Sequence, residues 1–169
     1  MIETERLILR PHRLKDFDAV FEMNSDVEVM RFIARGAPAA RHDVWNKLLR
    51  NIGHWSALGY GLFAVLEKAT GDYLGDTGLA DFHRGLGDDF DPFPEAAWAF
   101  VRRTHGKGVA TEAALAAHAW FLRERGPQRT VCIIAVDNLG SIKVARKLGY
   151  AEFGQTEFKG DAVLKFERN

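Results

Sequence analysis

The 169-residue chain lacks several features that define particular classes of protein. Its single cysteine, Cys132, excludes an internal disulfide and argues against a cysteine-based metal cluster. Basic and acidic residues number 23 each, so there is no excess of positive charge to bind nucleic acid. No stretch reaches the roughly 18 apolar residues of a membrane span, and the first residues, MIETERLILRP, lack the apolar core of a signal peptide. We therefore expect a cytoplasmic protein without a metal, with neither nucleic acid nor membrane as a partner. Both a monomer and a homodimer fit the sequence.

What the chain does contain is an alternation of strand-like and helix-like segments. Hydrophobic residues make up 47% and charged residues 27% of it, a balance typical of a globular domain with one core. The spacing of apolar residues predicts a strand in ERLILRP, helices in LKDFDAVFEM and around residues 44–55, a hairpin of GLFAVLE and YLGDTGLADF, strands in AAWAFVRR and TVCIIAV, a helix in GSIKVARKL, and closing strands in YAEFGQTEF and AVLKFE. This order predicts one α+β or α/β domain over residues 1–169, built on a mixed sheet.

A glycine-rich turn, THGKGVATEA, joins the strand AAWAFVRR to a helix that runs through Glu124. Glycine is unfavourable inside a helix, so Gly106 and Gly108 mark its beginning, where the first backbone N–H groups lack partners and the helix dipole is positive. Because glycines have no side chain to keep an anion away, the turn indicates a phosphate-binding site. The pattern is neither a P-loop, since glycine follows Lys107, nor a Rossmann fingerprint, since Thr111 takes the third glycine position.

Several segments together resemble the GNAT N-acetyltransferase superfamily. HGKGVATEA is similar to the acyl-CoA pyrophosphate loop of that family, in which a Gln or Arg precedes two closely spaced small residues. Gly108 and Ala110 fill the two small positions, while His105 stands where the family has Gln or Arg. The segments TERLILRP, GDYLGDTGL, EAAWAFVRRTHGKGVATEA and NLGSIKVARKLGY are similar, in the expected order, to the branch that acetylates ribosomal-protein N-termini. These segments cover most of the chain.

The resemblance implies a mixed, mostly antiparallel sheet flanked by helices, in which the central strands AAWAFVRR and TVCIIAV splay apart and hold acyl-CoA, here acetyl-CoA, in the gap. The pantetheine would hydrogen-bond to the open edge of the first strand, at Phe100, Val101 and Arg102. The pyrophosphate would lie against the turn and the start of the helix, at His105, Gly106, Lys107, Gly108, Val109, Ala110 and Thr111. Asn138, after the second strand, would contact the pantetheine; a helix cap is its alternative role.

The implied chemistry is direct attack of an amine on a thioester. Glu95 matches the glutamate that begins the family's strand and is the candidate general base, with a solvated loop-end glutamate as the alternative. A backbone N–H near Phe100 or Val101 would hold the oxyanion. Ala145 occupies the position where many family members carry a tyrosine acid, so Ser141 is the candidate proton donor; it could instead be a helix residue bonded to backbone.

The acceptor amine is not identified by the sequence, because variable loops, here residues 24–60 and 81–95, build that pocket. His83, Trp55 and Trp98 are candidate acceptor-binding residues, although loop or core positions explain them equally well. The favoured function is N-acetylation of a primary amine, with a protein N-terminal α-amine as one acceptor. The alternatives are acetylation of a small-molecule amine such as a polyamine, an antibiotic or an amino acid, and a non-catalytic acyl-CoA-binding module.

Overall fold

The computed structural model describes residues 1–33 and 37–169, in which helices flank an eight-stranded sheet. The strands are β1 (Ile2–Glu3), β2 (Leu7–Pro11), β3 (Leu62–Glu67), β4 (Tyr73–Ala80), β5 (Glu95–Phe100), β6 (Thr130–Ala135), β7 (Ala151–Phe158) and β8 (Asp161–Arg168). The helices are α1 (Phe17–Ser25), α2 (Val27–Met30), α3 (Arg41–Leu58), α4 (Val109–Arg125) and α5 (Leu139–Lys147). The strand order is β1-β2-β3-β4-β5-β6-β8-β7, and each neighbouring pair is antiparallel except β5 and β6. The predicted mixed, mostly antiparallel sheet is confirmed.

Different helices cover the two faces of the sheet. Because side chains alternate along a strand, Leu9 of β2 lies on one face and its neighbour Arg10 on the other. Leu9 packs with Ala113 and Ala117 of α4, whose small side chains let this helix lie close to the sheet. On the opposite face, Val20 of α1 packs with the first turns of α3. The candidate site described below opens on this second face.

The central strands β5 and β6 pair at only one point. Glu95 is in register with Val131, and the Val131 N–H donates to the Pro94 carbonyl at 3.0 Å. Beyond this pair the two strands diverge, and β6 continues its pairing with β8 instead. The gap that results is the predicted splay, and it divides the sheet into two halves.

Two elements differ from the sequence-based expectation. The predicted strand AAWAFVRR ends at Phe100, and residues Arg102–Thr104 form a 3₁₀ turn. The Val101 carbonyl closes this turn by accepting hydrogen bonds from the Thr104 N–H and hydroxyl. The predicted first helix begins with a 3₁₀ turn that leaves Leu14 57% exposed, outside the apolar face. Residues 34–36 of the first predicted acceptor loop lie outside the described residues.

A buried polar cluster joins β2, β4 and α3 on the second face. His12 Nε2 lies 2.7 Å from Asp76 Oδ1, the Tyr73 hydroxyl donates to the same oxygen, and Lys47 Nζ lies 3.2 Å from Asp76 Oδ2. Lys47 also donates to Asn24 in α1 at 3.1 Å. Burial alone would raise the pKa of Asp76, but the charges of Lys47 and His12 and the hydrogen bonds from His12 and Tyr73 lower it well below its usual range. The carboxylate therefore stabilises the folded state.

We predict that Asp76→Asn lowers the free energy of unfolding by about 3–5 kcal/mol, because it removes one partner of a buried ion pair. Urea denaturation at neutral pH measures the change. The loss should shrink in acid: the carboxylate contributes above its ordinary pKa near 3.8 and ceases to contribute as the pH falls through the lower folded-state value. Asp18→Asn, which removes the exposed partner of Arg41, is the control and should change little. Equal stability of wild type and Asp76→Asn would contradict the assignment.

Candidate active site

A cleft of about 1030 Å³ opens where β5 and β6 diverge. Its floor is formed by β5, in which Ala97 and Ala99 keep the space free of large side chains. One wall comes from the end of β6 and the start of α5. The other wall comes from α2, α3 and the segment after β4. Four of the predicted site residues line this cleft together: Glu95, Trp98, Asn138 and Ser141.

The backbone of β5 presents an open edge to the cleft. In an antiparallel pair, successive residues direct their N–H and C=O groups alternately toward and away from the partner strand. The Val101 N–H donates to Leu74 of β4 at 2.9 Å, whereas the Pro94 carbonyl accepts from β6. By this alternation the backbone groups of Ala96, Trp98 and Phe100 point toward β6. Ala96 adjoins the single pair of Glu95 with Val131, so Trp98 and Phe100 are the residues that the divergence leaves without a strand partner.

This geometry places Val101 off the open edge, while cofactor binding by Arg102 stays a prediction. The Val101 N–H is bonded to Leu74 and its carbonyl to Thr104, so neither group is available to a pantetheine or to an oxyanion. Arg102 lies in the 3₁₀ turn after the strand. Phe100 keeps its N–H on the open edge, while its carbonyl accepts a hydrogen bond from His105 Nε2 at 3.0 Å.

The glycine turn has the conformation that the sequence predicts. Gly106 and Gly108 have φ values of 74° and 76°, a region that side chains disfavour. Gly108 is the N-cap of α4 without a side-chain cap, and Glu112 is the first residue whose N–H is bonded one turn back, to Gly108. The N–H groups of Val109, Ala110 and Thr111 therefore lie before the first hydrogen bond of the helix. A Cβ on Gly106 would meet nothing within 4 Å, so the turn is open to an approaching group.

The N-terminal segment fastens this turn to the helix. Arg6 Nη1 donates to the Lys107 carbonyl at 3.0 Å, and Arg6 Nε donates to the Glu112 carboxylate at 2.7 Å. The Thr4 hydroxyl donates to the same carboxylate at 2.5 Å. His105 holds the other side of the turn through Phe100. This contact helps to shape the turn, and the role of His105 in cofactor binding stays a prediction.

Asn138 and Ser141 lie at the start of α5, on the wall opposite β5. Asn138 Oδ1 accepts from the Ser141 N–H at 3.1 Å, so the cap that was the alternative reading is present. The Ser141 hydroxyl accepts from Trp98 Nε1 at 3.1 Å across the gap. Since this oxygen accepts the indole proton, its own proton is free to be donated into the cleft. Ala145 is fully buried in the core.

Glu95 is a buried carboxylate and not the solvated loop-end residue of the alternative interpretation. It is 3% exposed, and its Oε2 accepts from Arg84 Nε at 2.6 Å. Burial raises the pKa of Glu95 and outweighs the hydrogen bond and the charge of Arg84, which lower it. A carboxyl group with a raised pKa at the edge of a cleft is suited to accept a proton.

The three candidate acceptor-binding residues lie in three different places. Trp98 lines the cleft. Trp55 instead packs against Phe63 and Trp120, and its Nε1 donates to the Leu62 carbonyl, so it belongs to the core. His83 has a φ of 48° and is exposed, and it is not among the residues that line the cleft.

Sequence reasoning missed charged and aromatic residues that line the wall formed by α3 and the segment after β4. They include Lys47, Arg50, Asp76, Phe82 and Arg84. Phe82 and Arg84 flank His83, whose φ of 48° interrupts any strand-like alternation, so no periodic pattern in the sequence pointed to them. Lys47 and Arg50, which are three residues apart on α3, share one side of the helix.

Other buried reactive groups lie in the core. Burial raises the pKa of the Cys132 thiol, which is 1% exposed. The Tyr150 hydroxyl is bonded to His118 and Thr130.

In the described part of the chain, no helix is both long and apolar enough to cross a membrane. No group of three or more His, Cys, Asp or Glu residues there is arranged to hold a metal ion.

Comparison with known proteins gives a consistent result. Residues 6–151 match the family described as acetyltransferase (GNAT) domain. The N-acetyltransferase YnaD of Bacillus subtilis, itself uncharacterized, is 28% identical over 153 residues, which are 90% of this chain and 84% of YnaD. A Bordetella pertussis structure assigned to the GNAT acetyltransferases is 34% identical with a TM-score of 0.90, covering 99% of this chain and 98% of that one.

A more distant structure shares the fold alone. RimL, a ribosomal L7/L12 α-N-protein acetyltransferase in complex with coenzyme A, has a TM-score of 0.78 at 16% identity, covering 98% of this chain and 94% of that one. The family match spans most of the chain, and the splayed strands and glycine turn are those of an acyltransferase. This chain belongs to the GNAT acetyltransferase family and is an acyltransferase enzyme.

Proposed function

We propose that the enzyme transfers an acetyl group from acetyl-CoA to a primary amine by direct attack. The observation that carries this proposal is the cleft between β5 and β6, because an unpaired strand edge and the glycine turn lie at the same end of β5. We further propose that residues 1–169 form a single catalytic domain. The cytoplasmic location and the choice between monomer and homodimer stay predictions.

The residues present fit acetyl-CoA as a substrate. A pantetheine contains amide groups that can pair with the backbone of Trp98 and Phe100 as an added strand would. The pyrophosphate is an anion, and the N–H groups of Val109, Ala110 and Thr111, which precede the first hydrogen bond of α4 at the positive end of its dipole, favour an anion there. Asn138 faces the cleft from the opposite wall and is placed to contact the pantetheine.

The reaction begins when the acceptor amine loses a proton to Glu95, directly or through a water. The nitrogen lone pair then forms a bond to the thioester carbon, and the carbonyl oxygen takes the negative charge. A backbone N–H on the open edge, that of Trp98 or Phe100, stabilises this oxyanion. When the carbonyl re-forms, the C–S bond breaks and the thiolate leaves. The nitrogen then releases its second proton to solvent, which balances the proton that the thiolate gains.

Ser141 is the proposed donor to that thiolate. Its hydroxyl is positioned by Trp98 and its backbone by Asn138, so the group is held in the cleft before the reaction. A thiol has an ordinary pKa of about 8.5, which makes the thiolate a good leaving group that needs only partial help. We therefore assign a larger share of the catalysis to Glu95 than to Ser141.

The direct test is an acceptor screen with acetyl-CoA, using peptides with free N-termini and small amines, read by product mass spectrometry. The proposal expects one of these classes to gain an acetyl group in an enzyme-dependent way. Acetylated peptides would favour a protein N-terminus as the acceptor. Acetylated small amines would favour a small-molecule acceptor. If no amine is acetylated above the enzyme-free background, the proposed function is wrong.

The glycine turn provides a test of the coenzyme site. We predict that Gly108→Val weakens acetyl-CoA binding by about tenfold or more, because the side chain would cover the helix N–H groups that face the pyrophosphate. Calorimetry measures the dissociation constant. Gly59→Val is the matched control, since Gly59 caps α3 with nearly the same backbone angles, φ 73° against 76°. An equal loss of affinity in both variants would show strain alone and contradict the assignment.

The two candidate proton-transfer groups are tested together. We predict that Glu95→Gln lowers kcat by about 100-fold or more, and that Ser141→Ala lowers it less, with acetyl-CoA affinity unchanged in both. In wild type, kcat/KM should fall as the pH drops through the pKa of Glu95, because the base becomes protonated. This decrease of kcat/KM at low pH should be absent in Glu95→Gln. Glu124→Gln, on the exposed side of α4, is the control. Full activity of Glu95→Gln would exclude the base role.

A further inference from the structure

Two arginine side chains share one aromatic ring on the acceptor side of the cleft. The guanidinium carbon of Arg84 lies 4.7 Å from the centre of the Phe82 ring, and that of Arg50 lies 5.7 Å from it. All three residues line the cleft, and they come from α3 and from the segment after β4. The arrangement brings two positive charges together at a site that the reaction steps above do not use.

Arg84 is fixed in place. Its guanidinium also lies 4.9 Å from the centre of the Phe158 ring, and its Nε donates to Glu95 at 2.6 Å. Two aromatic rings and one carboxylate thus set its orientation. Within the described part of the chain, no acceptor takes a hydrogen bond from its two Nη atoms. A planar guanidinium with its outer donors free is suited to bind a carboxylate or phosphate-like group.

Arg50 lacks a counter-ion among the residues that the structure describes. Three other cations of the cleft have a carboxylate within 4.0 Å: Arg31 has Glu28, Lys47 has Asp76 and Arg84 has Glu95. Across residues 1–33 and 37–169, no carboxylate forms an ion pair with Arg50. Arg50 is exposed, so its guanidinium is open to solvent and to a ligand. The positive charges of Arg50 and Arg84 repel each other.

We propose that the acceptor carries an anionic group, a carboxylate or a phosphonate-type group, that binds between Arg50 and Arg84 over Phe82. This inference rests on the proposed function, because it takes the cleft as the acceptor site. An anion there would relieve the repulsion and use the free donors of both guanidiniums. Arg84 is bonded to Glu95, so the anionic group and the amine must be separated by only a few bonds. The acceptor class is then a small molecule of amino-acid type, and a polyamine is disfavoured by the two positive charges.

The first test compares acceptors that differ in the anionic group. Free amino acids, the matching amino acid amides and spermidine are assayed with saturating acetyl-CoA. The amide lowers the pKa of the neighbouring amine, so kcat/KM is compared at its high-pH limit, where each amine is unprotonated. We expect the free acids to exceed the amides by about tenfold or more, the effect of one charge-assisted contact. Equal or higher values for amides or spermidine would overturn the inference.

The second test removes the unpaired charge. Arg50→Gln should raise the KM for the free amino acid by about tenfold or more, with kcat and the KM for the matching amide nearly unchanged. The affinity for acetyl-CoA should also stay the same, which shows that the variant is folded. Arg123→Gln is the control, because Arg123 is exposed on α4 and paired only with the adjacent Glu124. An unchanged KM in Arg50→Gln would contradict the proposal.

A binding measurement separates the two proposals. The N-acetylated product of the best acceptor carries the anion but cannot react further, and its dissociation constant is measured by calorimetry on wild type and Arg50→Gln. Weaker binding to the variant supports the anion site independently of turnover. If amines are acetylated but neither the anionic group nor Arg50 matters, the inference fails and the proposed function stands. If no amine is acetylated, the proposed function itself fails.

Discussion

The structure depends on a single point of contact between its two central strands. β5 and β6 share one register pair, Glu95 and Val131, and then separate. A parallel pair that continued would fill the centre of the sheet and leave no cleft. Because it stops, the backbone groups of Trp98 and Phe100 face a gap, where unpaired N–H and C=O groups are unfavourable unless a ligand or water satisfies them. The cleft therefore exists because β5 and β6 do not continue their backbone hydrogen bonds beyond the first pair.

Keeping that gap open requires rigid strands on the side of β5 that remains paired. Gly75 of β4 makes this possible, because a Cβ at this position would lie 2.2 Å from the Ala99 carbonyl. Its absence lets β4 and β5 approach closely, so β5 is held by a full antiparallel ladder on one edge while the other edge is free. The 3₁₀ turn closed by Thr104 then ends the strand and directs the chain into α4. The open edge and the helix terminus are thus joined by a short, fixed connection.

The sequence predicted the features that depend on neighbouring residues, namely the start of α4 and the positions of the strands. The glycines at 106 and 108 mark the helix start because their backbone angles exclude other residues, and periodic apolar residues mark the strands. The splay carries no local signal; it followed only from the family resemblance. Val101 lies off the open edge because its register turns its N–H toward Leu74 of β4, and a register between strands has no local signal in the sequence. Trp55 was a candidate for the acceptor pocket because the sequence does not distinguish an aromatic side chain of the core from one that lines a pocket.

The acceptor side was the least predictable, since its chemistry arises between residues far apart in the chain. Arg50 and Arg84 form one site only because α3 and the segment after β4 place both guanidinium groups at the Phe82 ring. Arg84 also acts on Glu95, where two effects oppose each other. Burial raises the pKa of this carboxyl group, while the charge of Arg84 lowers it. A negative group bound to Arg84 would weaken the second effect and leave the first intact. The ammonium group of the same acceptor would lower the pKa of Glu95 until its proton is transferred. The anionic group would therefore offset a change that would otherwise weaken the base.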